Sequence, residues 1–401
     1  MTPTSASAKA STRRSASATS SPSSPPWPAA VVPEDPLEQL PRGAVVAVAM
    51  SGGVDSSLVA ARVADSGLQA FAITLELWPG DREMGARNCC STDAVHDARA
   101  VATDLGLAHH VWNLEPEFDD RVIREFEDEY AAGRTPNPCV RCNERVKFGL
   151  LLDRARAAGA THIATGHYAR VGRRGRRFSL HRARDSRRDQ SYVLHRLSQA
   201  QLARAVFPLG AVAGKGDVRA EAEARGLATA GKAESQDLCI AGDSLRRELA
   251  RRLAGRFQPG PLLDATGRLV GEHAGLPFYT VGQRSGVAVA PGRPDAAPLY
   301  VLELRPSDNG IVVGSRELLA KRSLEAADCS WTDRAPAAGM PCAAQMRAHG
   351  AELACRVAYA DVRGELHLEL IDPAEQIAPG QSVVLYRDGE VLGGGLIRAA
   401  A

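Results

Sequence analysis

Two sets of residues in this chain are spaced for chemistry. The first is Ser51-Gly52-Gly53-Val54-Asp55-Ser56-Ser57, which follows the apolar run Val45-Val46-Ala47-Val48-Ala49-Met50 and leads into Leu58-Val59-Ala60-Ala61, of helical composition. A short strand, a glycine pair and a helix in that order bring main-chain N–H groups and the positive end of a helix dipole to one point, with Ser51, Ser56 and Ser57 as short donors. Such a cradle takes a bulky anion, a phosphate above all. It is not the Walker loop, whose spacing is absent. The nearest stretch, Gly210 to Gly216 with Gly214-Lys215, ends in glycine and is read as a plain loop. The second set is made of thiols. Cys142 stands beside Asn143, where a helix is expected to start, with Arg141, Arg145 and Lys147 close by, an electropositive setting that favours a reactive thiolate. Cys239 lies far downstream, in Glu234-Ser235-Gln236-Asp237-Leu238-Cys239-Ile240.

The elements that must position these residues alternate. Strands are expected at 70–77, 109–114 and 161–165, and helices at 93–105, 118–132 and 143–158, after the opening strand and helix around the glycine pair. Alternation of this kind means an α/β domain, a parallel sheet with helices on both faces. Ligands of such sheets sit at the carboxyl ends of the strands, where both Ser51-Gly52-Gly53 and Gly166-His167-Tyr168 fall, so Gly166 is placed beside the bound anion. Beyond about Ser244 the pattern changes to short strands. The reading is a β-rich connector over 244–320 and a small C-terminal β-barrel over 321–401, with the α/β domain at 41–243.

With 401 residues the chain can bury two or three cores. No apolar run reaches the roughly 18 residues of a membrane span. A net charge of only +2 means that nucleic acid must be held by local basic surface, and Arg170, Arg173, Arg174, Arg176, Arg177, Arg182, Arg184, Arg187 and Arg188 crowd one hairpin-like stretch. Tyr168, Tyr192 and Tyr279 are candidates to stack an unpaired base. Eight cysteines, among them the adjacent Cys89-Cys90 and the pair Cys139-x-x-Cys142, point to reduced thiols and a cytoplasmic protein rather than a secreted disulfide scaffold. Cys329, Cys342 and Cys355 read as core residues of strands. Residues 1–40, rich in Ser, Thr, Ala and Pro, are expected to be disordered, and the proline cluster at 25–28 argues against an organelle transit peptide.

Ser-Gly-Gly-Val-Asp-Ser resembles the pyrophosphate loop (PP-loop) of ATP pyrophosphatases, which cut ATP between its α and β phosphates. Taken with Thr-Pro-Asn-Pro-x-x-x-Cys-Asn at 135–143, Ala-Thr-Gly-His-Tyr at 164–168, Asp-Gln-Ser-Tyr at 189–192, Tyr-Thr-x-Gly-Gln-Arg-x-Gly at 279–286 and Pro-Gly-Gln at 379–381, the chain resembles the tRNA-specific 2-thiouridylases from about Ala44 to Ile397. That resemblance implies an adenine nucleotide alpha hydrolase-like PP-loop domain, ATP with Mg2+, and adenylation of the wobble uridine of a tRNA anticodon stem-loop. A persulfide sulfur then gives 2-thiouridine, AMP and pyrophosphate. It implies Cys142 as nucleophile and Cys239 as persulfide carrier. Ala49, Met50, Ser51, Gly52, Gly53, Val54, Asp55, Ser56, Leu75 and Gly166 would bind the nucleotide, and Asn137, Pro138 and Cys139 would line the target base, the last in place of an acid found in some relatives. His167, Arg188, Asp189, Gln190, Arg347 and Gln381 would touch tRNA.

The chemistry agrees with that expectation. Uridine O2 leaves poorly until adenylated, and sulfur held on Cys239 is released when a second thiol attacks the inner sulfur and forms a disulfide, with Cα atoms roughly 4.4–6.8 Å apart. Two thiols on separate loops suit this. Alternatives are another PP-loop enzyme such as an amide- or guanidine-forming ligase, a tRNA thiolase with an iron–sulfur cluster on Cys139, Cys142 and Cys239, and a tRNA-binding protein without catalysis. Zinc is disfavoured by the lack of a second Cys-x-x-Cys. A cysteine desulfurase or sulfur-relay protein is the expected donor, no membrane partner is expected, and a monomer is.

Overall fold

Val46, Val48 and Ala47 explain the first strand. The computed structural model describes residues 29–78, 92–232, 242–286, 298–375 and 377–401, and in it β1 (Val45–Ala49) lies at the centre of a five-stranded sheet with its three middle residues fully buried. Successive side chains of a strand point to opposite faces. Val46 and Val48 enter one core with Leu58, Val59 and Val63 of helix α1 (Val54–Asp65) and Ala98 and Val101 of α2 (Thr92–Asp104). Ala47 enters the other with Phe148, Leu151 and Ile163. An unbroken apolar run is what burial on both faces requires.

Strands β2 (Gln69–Glu76), β3 (Ala108–Asn113), β4 (His162–Thr165), β5 (Ala169–Arg174), β6 (Arg177–Arg182) and β7 (Ala205–Val206) follow. The sheet runs β3-β2-β1-β4-β7 with every neighbouring pair parallel, β1 meeting β2 on one side (Ala49 opposite Ile73) and β4 on the other (Ala49 opposite Thr165). Strand order reverses between β1 and β4, the crevice where such sheets take ligands.

The helical segment 115–131 is continuous, with a wide π turn at Asp119–Ile123. The next begins at Pro138, five residues before the expected start, and runs to Ala157, with wide turns over Cys142–Leu151. Asn137 caps it, accepting from Cys139 N at 3.0 Å, and Pro138 occupies the first helical position, which needs no N–H donor.

The connector is a four-stranded sheet, β8 (Gly260–Asp264), β9 (Leu269–His273), β10 (Tyr300–Arg305) and β11 (Gly310–Gly314), in the order β10-β11-β8-β9. After it, β12 (Lys321–Trp331), β13 (Pro341–Gln345), β14 (Leu353–Ala360), β15 (Leu366–Ala374), β16 (Ser382–Arg387) and β17 (Glu390–Ala400) form a barrel closed by the pairing of β12 with both β15 and β17. Closure removes sheet edges. Cys329, Cys342 and Cys355 sit on these strands, with Cys355 buried and its Sγ 3.4 Å from that of Cys342 across the β13–β14 register.

Hairpin β5–β6 leaves the α/β domain and extends the barrel sheet at β17, His181 opposite Glu390. The arginines expected to form an RNA footprint are mostly tied down here. Arg174 pairs with Glu390 at 2.6 Å, Arg177 with Asp333 at 2.8 Å, Arg182 with Asp189 at 2.7 Å and Glu352 at 2.9 Å, and Arg184 with Glu34 at 2.5 Å. Arg174, Arg177 and Arg182 thus reach carboxylates of the barrel part of the chain, so these members of the run tie the hairpin to it. Tyr168, Tyr192 and Tyr279 are all buried, Tyr192 donating to Ser382 O at 2.8 Å, and pack rather than present a face for a base. Nor does the N-terminal extension reach residue 40. Val31 bridges Arg173 on the edge of β5 through its main chain, and the Leu37 side chain is buried in the first core.

Candidate active site at the carboxyl edge of the sheet

The anion cradle is built as its residue types demand. Gly52 has φ +68°, and a Cβ there would lie 2.2 Å from the carbonyl oxygen of Ala94, in the first turn of α2. Only glycine fits. Gly53 is the N-cap of α1 and supplies no side chain to its first-turn amides, which are left for a ligand. The serines serve the loop itself. Ser56 Oγ accepts from Ser51 N at 3.1 Å and donates to Gly53 O at 3.1 Å, and Ser57 Oγ donates to Gly53 O at 3.0 Å. Met50 N donates to Ile73 O at 2.8 Å, fixing the strand end from which the loop departs. Gly166, after β4, backs this turn: a Cβ there would stand 3.1 Å from Asp55 Cβ and 3.2 Å from Ser56 N. Leu75, half-buried near the end of β2, contacts the apolar core on the helix side of the sheet.

Two lysines complete the cradle. Lys215 Nζ and Tyr168 Oη each donate to Asp55 Oδ1 at 2.6 Å. Lys215 starts the helix Lys215–Ala224, so the stretch read as a plain loop delivers an ammonium group to the glycine turn. Lys232 Nζ donates to Gly52 O at 3.1 Å and also bonds Asp97. A signal for both was present. Lysine and arginine together number 49, yet the lysines are only Lys9, Lys147, Lys215, Lys232 and Lys321. In so arginine-rich a chain, a retained lysine marks a place for a compact ammonium rather than a planar fork.

Asn137, Pro138 and Cys139 form the capped start of the second helical segment, all half-buried. Cys142 lies one turn further in, buried with Leu77 and Trp78 beyond the end of β2 and with Leu114, Phe118 and Val146. It is therefore on a helix and in an apolar setting rather than on a loop. The arginines expected to activate it are neutralised. Arg141 binds Glu125 at 2.8 Å, Glu144 at 2.9 Å and Asp328 at 2.7 Å, and Arg145 also bonds Glu125. Cys239 and Cys89-Cys90 lie outside the described residues, and among the described residues no three His, Cys, Asp or Glu side chains converge as a metal site.

The residues expected to touch tRNA differ in exposure. Arg347 is exposed and Arg188 half-exposed. The others are held as follows. Asp189 is buried and accepts from Ala183 N at 2.9 Å, Ser191 Oγ at 2.7 Å and Arg182 at 2.7 Å, so it pins a turn. Gln190 Oε1 accepts from Tyr168 N at 3.0 Å. His167 Nδ1 is 2.7 Å from Thr165 Oγ1, and burial, helped by Lys147, drives its pKa well below the usual imidazole value, so its ring is neutral. Gln381 Nε2 donates to Thr135 O at 2.7 Å.

Three family models match this chain in series: a tRNA methyl transferase HUP domain over residues 44–243, a tRNA methyl transferase PRC-barrel domain over 248–315 and an aminomethyltransferase beta-barrel domain over 321–397. The relative from Acidothermus cellulolyticus named tRNA-specific 2-thiouridylase MnmA is 45% identical over 355 residues, 88% of this chain and 97% of its own. The protein of the same name from Chloroflexus aurantiacus is 45% identical over 358 residues, 88% of this chain and 98% of its own. Among solved structures, the ammonia-dependent NAD synthetase of Campylobacter jejuni superposes with a TM-score of 0.30 at 15% identity, over 55% of this chain and 78% of that one, which is too distant to add to the assignment.

Proposed function

The chain belongs to the family of tRNA-specific 2-thiouridylases, and from that premise we propose how its own residues thiolate a tRNA uridine. It is an ATP-using tRNA sulfurtransferase. The observation that carries the reading is that the glycine cradle leaves the end of β1 while Cys142 packs beyond the end of its neighbour β2, so anion site and thiol share one edge of one sheet.

ATP, carrying magnesium as part of the substrate, lays its phosphates over Gly52-Gly53 and the first-turn amides of α1, with Ala49, Met50, Ser51, Val54, Ser56 and Gly166 shaping the turn and Leu75 against the adenine. Lys215 and Lys232 offset the charge of the departing pyrophosphate, and Asp55 would help to hold the magnesium. Uridine O2 attacks the α-phosphorus, the bond to the β-phosphate oxygen breaks, and the proton of N3 leaves. Asn137, Pro138 and Cys139 line the base. The Cys142 thiolate attacks the Cys239 sulfur of the Cys239 persulfide. The S–S bond breaks, hydrosulfide departs, and a Cys142–Cys239 disulfide forms. Hydrosulfide adds to C2, AMP leaves, and tautomerisation returns a proton to N3. An external dithiol reduces the disulfide, and a cysteine desulfurase or relay protein reloads Cys239. Arg188 and Arg347 supply cationic contacts to the anticodon stem-loop, while Asp189 and Gln190 hold the turn that presents Arg188 and Gln381 holds Thr135.

The test is nucleoside mass spectrometry of unmodified tRNA incubated with enzyme, ATP, magnesium and a persulfide donor. Wild type yields 2-thiouridine, Cys142→Ser and Cys239→Ser yield none, and Cys239→Ser regains activity with free sulfide. Full activity of Cys142→Ser with the persulfide donor sinks the relay.

A further inference from the structure

Three parts of the chain meet on Thr135. Its N–H donates to Pro379 O at 2.8 Å and its C=O accepts from Gln381 Nε2 at 2.7 Å, both from the barrel. Its hydroxyl donates to Thr280 Oγ1 of the connector at 3.2 Å. The seam leaves no slack on either side. Gly380 has φ +90°, and a Cβ there would come within 2.8 Å of Thr135 N. Gly133 has φ +68°, and a Cβ there would come within 3.2 Å of Pro306 Cγ in the connector.

Two residues after Thr135, Asn137 caps the helix that carries Cys139 and Cys142. Pro136 and Pro138, with φ locked by their rings, leave little freedom to absorb a displacement between joint and cap. A movement at Thr135 is passed to the thiols. We infer that Thr135 is a positioning residue for sulfur transfer: it sets where the cysteine helix stands relative to the barrel and connector, so that the three domains act on the thiol as one frame. The inference rests on the thiolation reading.

Thr135→Val tests it, because the isostere keeps both main-chain hydrogen bonds and removes only the bond to Thr280. Losing one such bond lowers kcat for 2-thiouridine formation roughly five-fold, with the KM for ATP unchanged, and Thr135→Ser restores the rate. Thr280→Val lowers it equally, and the double variant is no worse than either single one, since both lose the same contact. A second readout needs no turnover. Iodoacetamide labelling of Cys142 in the resting full chain, followed by peptide mass spectrometry, speeds up severalfold in Thr135→Val. Labelling and kcat both unchanged in Thr135→Val, or additive losses in the double variant, overturn the inference. A wild type that forms no 2-thiouridine defeats the functional reading instead, and the labelling comparison still decides this one.

Discussion

Replacing Gly52 and Gly53 by alanine, one at a time, separates two jobs that adjacent glycines do. At Gly52 the backbone is left-handed, φ +68°, and the added Cβ meets three main-chain atoms of Ala94 at 2.2, 2.7 and 2.8 Å. The left-handed conformation costs an L-residue about 1–2 kcal/mol. Forcing apart two packed backbones adds about 1–3 kcal/mol. The sum, roughly 2–5 kcal/mol, falls on the α/β domain, where about 2–4 °C of Tm accompanies each kcal/mol. Gly52→Ala therefore lowers its melting transition by on the order of 4–20 °C. At Gly53, φ is −98° and the nearest atom to an added Cβ is Ser51 Oγ at 3.8 Å. Gly53→Ala loses only the preference for glycine over alanine at an N-cap, about 1 kcal/mol or less. Thermal scans of the full chain, with and without ATP, read both effects. The shift on adding ATP disappears in Gly52→Ala, because the turn no longer closes on α2. Equal destabilisation by the two substitutions, or an ATP shift kept in Gly52→Ala, would refute the argument from the Ala94 contact.

Lys215→Met leaves Asp55 with Tyr168 alone as donor and an uncompensated negative charge beside the phosphates. A hydrogen bond to a charged group is worth about 1.5–3 kcal/mol, so kcat/KM for ATP falls roughly 10- to 150-fold while Lys215→Arg keeps part of it; AMP release in the presence of tRNA measures this, and a loss under about threefold rejects the role. Acid opens the hairpin–barrel seam. Burial, then Arg170 and Arg174, push His181 down to about 4, against a raising influence from Glu390. With the folded pKa below the unfolded value, the contribution of His181 to stability is complete above about pH 6.5 and is lost as pH falls toward 4. Denaturant midpoints between pH 7.5 and 5 decline in wild type and decline less in His181→Gln; parallel slopes would remove His181 as the cause. Asp328→Asn weakens the tie from β12 to Arg141 and Arg196, 2.7 and 3.1 Å away, and its expected signature is faster alkylation of Cys142 with an unchanged KM for ATP.

The parallel sheet was legible because its physics is local. An apolar run between a charged segment and a glycine pair has few places to go except the middle of an α/β sheet, and Val46, Ala47 and Val48 divide between two cores as a period of two dictates. The carboxyl-edge position of Gly166 followed from the same logic. The helix start at Pro138 was also written in the chain, as Asn137-Pro138, a cap residue and a first-turn proline, but the thiol beside Asn143 drew attention one turn too far along. What no local reading reaches is the partner of a charge. Arg174 meets Glu390, 216 residues away, and Arg141 meets Asp328, 187 residues away, so arginines that look alike in the sequence include several that join domains. Lys215 and Lys232 escaped for a related reason. Their meaning is a contrast with the arginines around them, visible only in a count over the whole chain.

The joint at Thr135 closes across 246 residues, and β6 waits for β17, the last strand. On the ribosome this sets an order of events. The sheet, the glycine turn and the thiol helix are all translated before the barrel residues Pro379 and Gln381 that fix Thr135, so the nascent enzyme has its nucleotide cradle long before its sulfur chemistry is framed. A chain cut short by a premature stop within its final strands keeps every residue of the α/β domain and loses Glu390, the partner of Arg174. Translation of the barrel is in this sense a late step in assembling the active site.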